Sequence, residues 1–228
     1  MNIGVKSTLG DIVTAYPGTV KVMNKYKIDY CCGGKDVLED VLADLPGDSD
    51  AVVNELESTT QEQDNQVVVD WSQQSPSQIV DYILDNHHTF MKETLEELNM
   101  LMFRILKVHY KSDGESLLKI HKLFGTLKTE LEEHLVKEEE NLFPLIVEYE
   151  ATKSDVTKQA ILKFIADTED EHDAAGDLFR ALEEATDDFT APEYACYSYK
   201  RTFELLDALE KDTFNHIHME NSILFPMI

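Results

Sequence analysis

The sequence places one histidine in each of four apolar helical stripes, and this pattern limits the fold more than any other feature. After residue 75, apolar residues recur in steps of three and four, a spacing that puts them on one face of each helix. The polar members of the stripes are His88, His134, Glu138, His172, His216 and Glu220. A carboxylate buried in an apolar core is costly unless it is paired or bound to a metal. The four helices are therefore expected to bring these side chains together.

The end of the chain repeats an earlier segment that contains two of these side chains. Residues 134–146 align without gaps on residues 216–228, and six of the thirteen positions are identical, including the histidine and the glutamate. The spacing between successive histidines is also similar in the two halves of the bundle, with 46 residues from His88 to His134 and 44 from His172 to His216. Because packing alone does not require polar core residues to repeat, the repeat indicates a shared chemical role.

The predicted fold is all-α, with a small helical N-terminal domain followed by an antiparallel four-helix bundle. Residues 1–57 contain short helices separated by turn signals at Pro17-Gly18 and Gly33-Gly34. The polar residues 58–75 predict a linker. Long helices with short connections occupy 76–228, and such connections favour antiparallel neighbours in a bundle.

The bundle helices have recognisable start and stop signals. We expect them over residues 76–109, 115–149, 154–187 and from 190 nearly to the C-terminus. Ser75 and Pro76 suit the start of the first helix, and a kink or stop is expected near Pro144. Thr190 is the expected start of the last helix, with Glu193 closing a capping box.

The types of ligand indicate which metal the core would hold. In His-x-x-x-Glu the two side chains lie one turn apart on one helix face, so both reach the same centre. Four imidazoles and two carboxylates exceed the four ligands of a structural zinc ion. They suit a dinuclear iron or manganese centre, with Glu138 and Glu220 bridging and the histidines terminal. With a bridging oxygen, each ion keeps a vacant position for a small diatomic molecule.

Several other side chains have two interpretations. His87 is the alternative ligand to its neighbour His88, whereas the remaining histidines, His109, His121 and His218, are expected not to bind the metal. Glu130 and Glu171 flank the site, either as solvated carboxylates or as groups that move protons or iron near the ligands.

The two neighbouring cysteines also have two interpretations. Cys31 and Cys32 lie between two turn signals, either as a buried turn pair or as thiols that handle redox chemistry, nitric oxide or iron. Cys196 is expected to be a core residue.

The net charge and the number of cysteines limit the classes of partner and the cellular location that we expect. The 20 basic and 45 acidic residues give a net charge of −25, which repels nucleic acid and anionic lipid, so neither is an expected partner. We find no signal peptide, and no apolar run approaches the roughly 18 residues of a membrane span. Three cysteines are too few for a secreted disulfide scaffold, which favours a reducing cytoplasm.

These motifs resemble those of a known family. The bundle is similar to hemerythrin-like domains. Together with Asp-Tyr-Cys-Cys-Gly-Gly-Lys at 29–35, it resembles the iron–sulfur cluster repair di-iron proteins, or repair of iron centres, with their ScdA-like N-terminal domain. Glu-His-Asp-x-Ala-Gly at 171–176 and the two Leu-Phe-Pro segments belong to the same pattern. The resemblance covers nearly the whole chain.

The resemblance implies a cytoplasmic stress protein that restores iron–sulfur clusters damaged by nitric oxide or peroxide. It implies two non-haem iron ions with an oxo or hydroxo bridge, held by the six stripe residues. It makes Glu130 and Glu171 gate or channel groups, and Cys31 or Cys32 a relay. Damaged or apo iron–sulfur proteins would be the partners, and nitric oxide or O2 the small ligands. Iron donation and nitric oxide reduction both stay open, as does the oligomeric state, a homodimer included.

A hemerythrin-like protein that binds or senses O2 or nitric oxide without repair is the alternative. In oxygen-carrying hemerythrins the third metal-binding helix supplies two histidines four residues apart, but Gly176 follows His172 at that distance here. Their last ligand is an aspartate five residues after the histidine, whereas Glu220 lies four after His216. Both departures disfavour a pure oxygen carrier.

Overall fold

The fold is all-α, as the periodicity predicts. The structure is a computed structural model and describes residues 3–63 and 69–228. In these residues there is no β-strand, only an isolated antiparallel bridge between Thr8 and Val37. Contacts divide the chain into two compact units, Met1–Ser75 with Phe214–Ile228 and Pro76–Thr213. None of the described helices is both long and apolar enough to cross a membrane.

The first unit is built from short helices around its own apolar core. Its helices are α1 (Leu9–Ala15), α2 (Val20–Lys25), α3 (Leu38–Asp44) and α4 (Ser49–Gln63), with single 3-10 turns at Pro17–Thr19, Cys32–Lys35 and Trp71–Gln73. The Thr8 hydroxyl caps α1 by accepting a hydrogen bond from the Asp11 amide at 3.2 Å. The core includes Leu9, Met23, Leu38 and Leu56, all at most 1% exposed. Two of the 3-10 turns coincide with the predicted turn signals.

Helix α4 ends six residues later than expected. It continues to Gln63, so the first part of the predicted linker is helical. The hydroxyls of Ser58, Thr59 and Thr60 each donate to a backbone carbonyl three residues earlier, at 2.7–2.8 Å. These bonds give the polar side chains partners within the helix, so a polar composition is compatible with its continuation. Residues 64–68 of the predicted linker lie outside the described residues.

The second unit contains the helices of the bundle, which range from short to very long. They are α5 (Pro76–Tyr82), α6 (Thr89–Lys137), α7 (Phe143–Thr152), α8 (Asp155–Thr186) and α9 (Tyr197–His218), the last of which continues into the first unit. The π-helical turns Ile83–His88 and Glu138–Leu142 join α5 to α6 and α6 to α7.

Helix α6 is two antiparallel arms rather than one rod. Asp113 has non-helical angles, φ −133° and ψ 18°, in the segment where a break was predicted. His88 and Glu138 each lie 25 residues from Asp113, yet their side chains are 3.2 Å apart. Two arms of about 37 Å can meet in this way only if the chain folds back on itself.

The third bundle helix begins where it was predicted, and the fourth does not. Ser154 caps α8 by accepting from the Thr157 amide at 3.3 Å. Helix α9 begins at Tyr197, seven residues after the predicted start, so the capping box at Glu193 is wrong. The chain first passes through three residues with positive φ, 53°, 53° and 55° at 187–189. This left-handed turn moves the chain away from α8 and delays the next helix.

Candidate metal centre

The second unit holds a buried cluster of imidazoles around one carboxylate. His88, His134, Glu138 and His172 are at most 5% exposed, and Glu138 is fully buried. Ligand atoms of His134, Glu138 and His172 lie within 4.8 Å of one another. The two oxygens of Glu138 face different histidines, Oε2 at 3.2 Å from His88 Nε2 and Oε1 at 3.4 Å from His134 Nε2. A carboxylate with this orientation can bridge two cations.

The first unit holds a matching pair on the end of the last helix. His216 and Glu220 are 1% and 0% exposed, and His216 Nε2 lies 3.3 Å from Glu220 Oε1. The pair has the same four-residue spacing and nearly the same distance as His134 and Glu138, so the sequence repeat is also a repeat of side-chain geometry.

The two glutamates lie in π-helical turns, which the sequence analysis did not predict. Glu138 begins the turn Glu138–Leu142, and Glu220 lies in the turn Met219–Leu224. Such turns inside helices are rare and frequently occur at functional sites. Each is followed at once by Phe-Pro, and proline lacks the amide that would bond to the carbonyl four residues earlier. The repeated Leu-Phe-Pro was the signal in the sequence.

Two further carboxylates contact the Nδ1 atoms of two histidines, on the side of each ring away from Glu138. His88 Nδ1 lies 2.7 Å from Glu139 Oε1, and His134 Nδ1 lies 2.9 Å from Glu171 Oε2. A carboxylate at Nδ1 orients the ring and favours the tautomer whose Nε2 is the metal-binding atom.

Each of these carboxylates also has a lysine partner. Lys92 donates to Glu139 and Lys137 to Glu171, both at 2.6 Å. The hydrogen bond from His134 lowers the pKa of Glu171 to about 2, with Lys137 adding to the effect. Burial acts to raise the pKa of Glu139, but hydrogen bonds from Lys92 and His88 outweigh it and lower the pKa. Both groups are therefore carboxylates at neutral pH.

Residues 29–35 of the first unit, the cysteine turn, form a hydrogen-bonded loop with two thiols. Oδ1 of Asp29 accepts from the amides of Cys31, Cys32 and Gly33 at 3.0–3.2 Å. The two sulfurs are 3.9 Å apart, and both cysteines are free thiols. The contact with Cys32 and burial raise the pKa of the Cys31 thiol well above its usual value.

Comparison with known proteins decides the family. Residues 80–228 match the hemerythrin HHE cation binding domain, and residues 5–60 match a domain of unknown function, DUF542. The iron–sulfur cluster repair protein YtfE of Enterobacter sp. (strain 638) is 33% identical over 219 residues, 96% of this chain and 94% of the relative. This chain belongs to the iron–sulfur cluster repair protein family. YtfE of Escherichia coli O81 (strain ED1a) has the same identity and coverage.

Membership in the repair protein family confirms the resemblance drawn from the motifs. The hemerythrin HHE match spans both the imidazole cluster and the His216–Glu220 pair. The donor set of imidazoles and carboxylates fits the non-haem iron pair that such a domain implies.

In this member of the repair family, some of the predicted site residues lie at the imidazole cluster and others do not. Glu171 reaches the cluster through His134, whereas Glu130 is exposed on α6 and is not brought to it. His87 Nδ1 lies 3.0 Å from Asp212 Oδ1, while its neighbour His88 faces Glu138. Sequence reasoning missed Glu139, although it directly follows a predicted ligand.

The prediction for Cys196 is wrong. Cys196 is exposed, with its sulfur 3.2 Å from His109 Nε2. The last helix was expected to begin at Thr190, which would have placed Cys196 inside it. Since α9 begins at Tyr197, Cys196 precedes the helix and lies on the connection that leads into it.

Proposed function

We propose that this protein repairs iron–sulfur clusters damaged by nitric oxide or oxidants, using iron held at a non-haem di-iron centre. The observation that carries the proposal is the buried cluster in which the two oxygens of Glu138 face His88 and His134. The repair proteins that match 96% of the chain support the function, because their names state it.

The proposed ligands are the six polar residues of the stripes. Glu138 and Glu220 are the proposed bridges, and the ligand histidines are His88, His134, His172 and His216. The equal spacing and similar distances of the His134–Glu138 and His216–Glu220 pairs support treating them as two halves of one centre. The hemerythrin HHE match over 80–228, which contains all six residues, supports the same grouping.

The proposed cofactor is a pair of iron ions with an oxo or hydroxo bridge. When bound, the pair would supply open coordination positions for a small ligand and a source of iron for a damaged cluster. The protein's part is to hold the donors in place. Glu139 and Glu171 orient the rings of His88 and His134, and the surrounding apolar side chains exclude water.

The remaining assignments follow from the same proposal. Partners are damaged or apo iron–sulfur proteins, and nitric oxide or O2 is the small ligand. Glu171 is a group at the site, Glu130 an outer carboxylate on the route to it, and Cys31 with Cys32 a thiol relay in the N-terminal domain. We propose an N-terminal domain over 1–57, a connection over 58–75, a bundle over 76–228 and a cytoplasmic location.

The test is iron loading followed by repair of a hydratase whose [4Fe–4S] cluster has been damaged by nitric oxide. Wild-type protein loaded without air should hold two irons per chain and restore hydratase activity. Glu138→Leu with Glu220→Leu should lose the iron and the repair, whereas Glu140→Leu, an exposed neighbour, should keep both. Reversible O2 or nitric oxide binding without iron transfer would instead support a binding or sensing protein.

A further inference from the structure

The last helix presents two opposite faces within residues 214–222. His216 and Glu220 lie four residues apart and share one face. Residues 214 and 218 lie roughly 160° to 200° around the α-helix from His216, at about 100° per residue. Asn221 and Ser222, in the π-helical turn that follows, contact the same N-terminal region. Within the first unit, this second face meets the N-terminal helices and the cysteine turn. The segment therefore carries two predicted ligands on one side and the N-terminal domain on the other.

Polar contacts join the N-terminal domain to this segment. The Tyr30 hydroxyl donates to Asn215 Oδ1 at 3.2 Å, and Asn221 Nδ2 donates to the Cys31 carbonyl at 3.3 Å. Thr14 Oγ1 lies 3.3 Å from His218 Nε2. The His218 ring also packs edge-on against the Tyr30 ring, with centroids 6.0 Å apart.

Two glycines allow the backbone of the N-terminal domain to approach the segment closely. A Cβ added at Gly10 would overlap the Ser222 hydroxyl, and a Cβ at Gly34 would lie 3.0 Å from it. Ile217, which is 1% exposed, packs in the apolar core of the N-terminal helices. The interface is thus close-packed, so a movement of the cysteine turn has to be accommodated by the helix.

The positions of the hydrogen bonds connect this interface to the ligands. Asn215 immediately precedes His216, and Asn221 immediately follows Glu220. Their partners, Tyr30 and Cys31, are also consecutive. Two consecutive residues, Tyr30 and Cys31, therefore hydrogen-bond to the two asparagines that flank the His216–Glu220 segment.

We propose that Tyr30 and the Cys31 backbone are positioning residues for His216 and Glu220, so that the cysteine turn controls how firmly iron is held. This inference rests on the proposed function, because it takes these two residues as iron ligands. The N-terminal domain thereby acts as a support for two of the six proposed ligands. Loss of the support increases iron release without removing any ligand.

The test compares two tyrosines of the N-terminal domain in the full-length, iron-loaded protein. Tyr30→Phe removes the hydroxyl that donates to Asn215, and Tyr26→Phe removes one that donates to Glu55 at 3.0 Å. We expect Tyr30→Phe to release iron to a chelator about three- to tenfold faster than wild type, a modest effect for an outer partner of a ligand. Tyr26→Phe should release it at the wild-type rate.

A conservative pair at Asn215 separates positioning from general destabilisation. Asn215→Asp keeps an oxygen that accepts from Tyr30 and should retain iron, whereas Asn215→Leu should release it as fast as Tyr30→Phe. Mössbauer spectra of protein loaded with ⁵⁷Fe should change for Tyr30→Phe and Asn215→Leu but not for Tyr26→Phe.

The outcomes distinguish this inference from the proposed function. If wild type holds two irons and Tyr30→Phe matches Tyr26→Phe in release rate and spectrum, the positioning role is wrong and the di-iron proposal stands. If wild type holds no iron pair, both are wrong.

Discussion

Neighbouring histidines in this chain differ in role because their ring nitrogens meet different partners. His88 has Glu139 at Nδ1 and Glu138 near Nε2, whereas His87, one residue earlier, has Asp212 at Nδ1. The doublet could not be resolved from sequence, since the two side chains point in different directions from adjacent positions. The carboxylate partners distinguish them.

His218 should make stability depend on pH. Burial lowers its pKa from 6.5 to about 4. The unfolded chain therefore takes up the proton first, and stability contributed by neutral His218 is lost as pH falls from 6.5 towards 4. In metal-free protein, the unfolding free energy of wild type relative to His218→Gln should drop by about 3 kcal/mol over this window. Urea unfolding of both proteins at several pH values measures it, and a difference that is independent of pH would contradict it.

The carboxylates behind the ligands should tune iron affinity. Glu139→Gln and Glu171→Gln remove the charge that faces Nδ1 of His88 and His134, and each should lower iron affinity about tenfold. Glu140→Gln, at an exposed position next in sequence, is the matched control and should leave affinity unchanged. Competition with a chelator of known affinity gives the values. Equal affinities in all three variants would mean that Glu139 and Glu171 do not support the ligands.

At the scale of helices, local hydrogen bonds decided where elements begin and end. The Ser154 cap was recognisable because serine before a periodic segment is a strong start signal. Thr190 offered a similar signal, but positive φ at residues 187–189 occupies the turn and α9 begins at Tyr197. Aspartate adopts positive φ more often than most non-glycine residues, but three such residues in a row are rare, so their types alone did not predict this turn.

The cap of α8 gives a prediction at this scale. Ser154→Ala removes the acceptor for the Thr157 amide and should lower the free energy of unfolding by about 1 kcal/mol. Ser116→Ala, at an exposed position in the first turn of the second arm of α6, should cost little because alanine has the higher helix propensity. Urea unfolding measures both. Iron content should stay at the wild-type value in each, since neither serine is near a predicted ligand in sequence.

For the whole molecule, the metal site should cost stability when it is empty and add stability when it is filled. Glu138 and Glu220 are both 0% exposed, and buried charge is expensive unless it is compensated. In metal-free protein, Glu138→Leu with Glu220→Leu should therefore raise the free energy of unfolding by about 1–4 kcal/mol.

Iron should offset this difference in the free energy of unfolding. A ligand that binds only the folded state stabilises it by about 3 kcal/mol at a hundred times its dissociation constant, so wild type should gain and the double variant should not. Urea unfolding with iron and with chelator measures both arms. A metal-free double variant less stable than wild type would indicate that the carboxylates are compensated without metal.

The sequence by itself determined the all-α class, the apolar stripes and the residue types at their centre. Stripes depend on the period of the helix, which is a local property, and polar residues in an apolar stripe stand out without coordinates. The break near Asp113 and the cap at Ser154 were equally local. These features needed only the neighbours along the chain.

The tertiary structure decided which partners meet. It brought Glu139 to His88 and Glu171 to His134, left Glu130 exposed, and put Tyr30 beside Asn215. These contacts join residues that are 37 to 185 positions apart in the sequence. Helical period gives the direction of a side chain but not the distance to another helix, and that distance depends on packing of the whole chain.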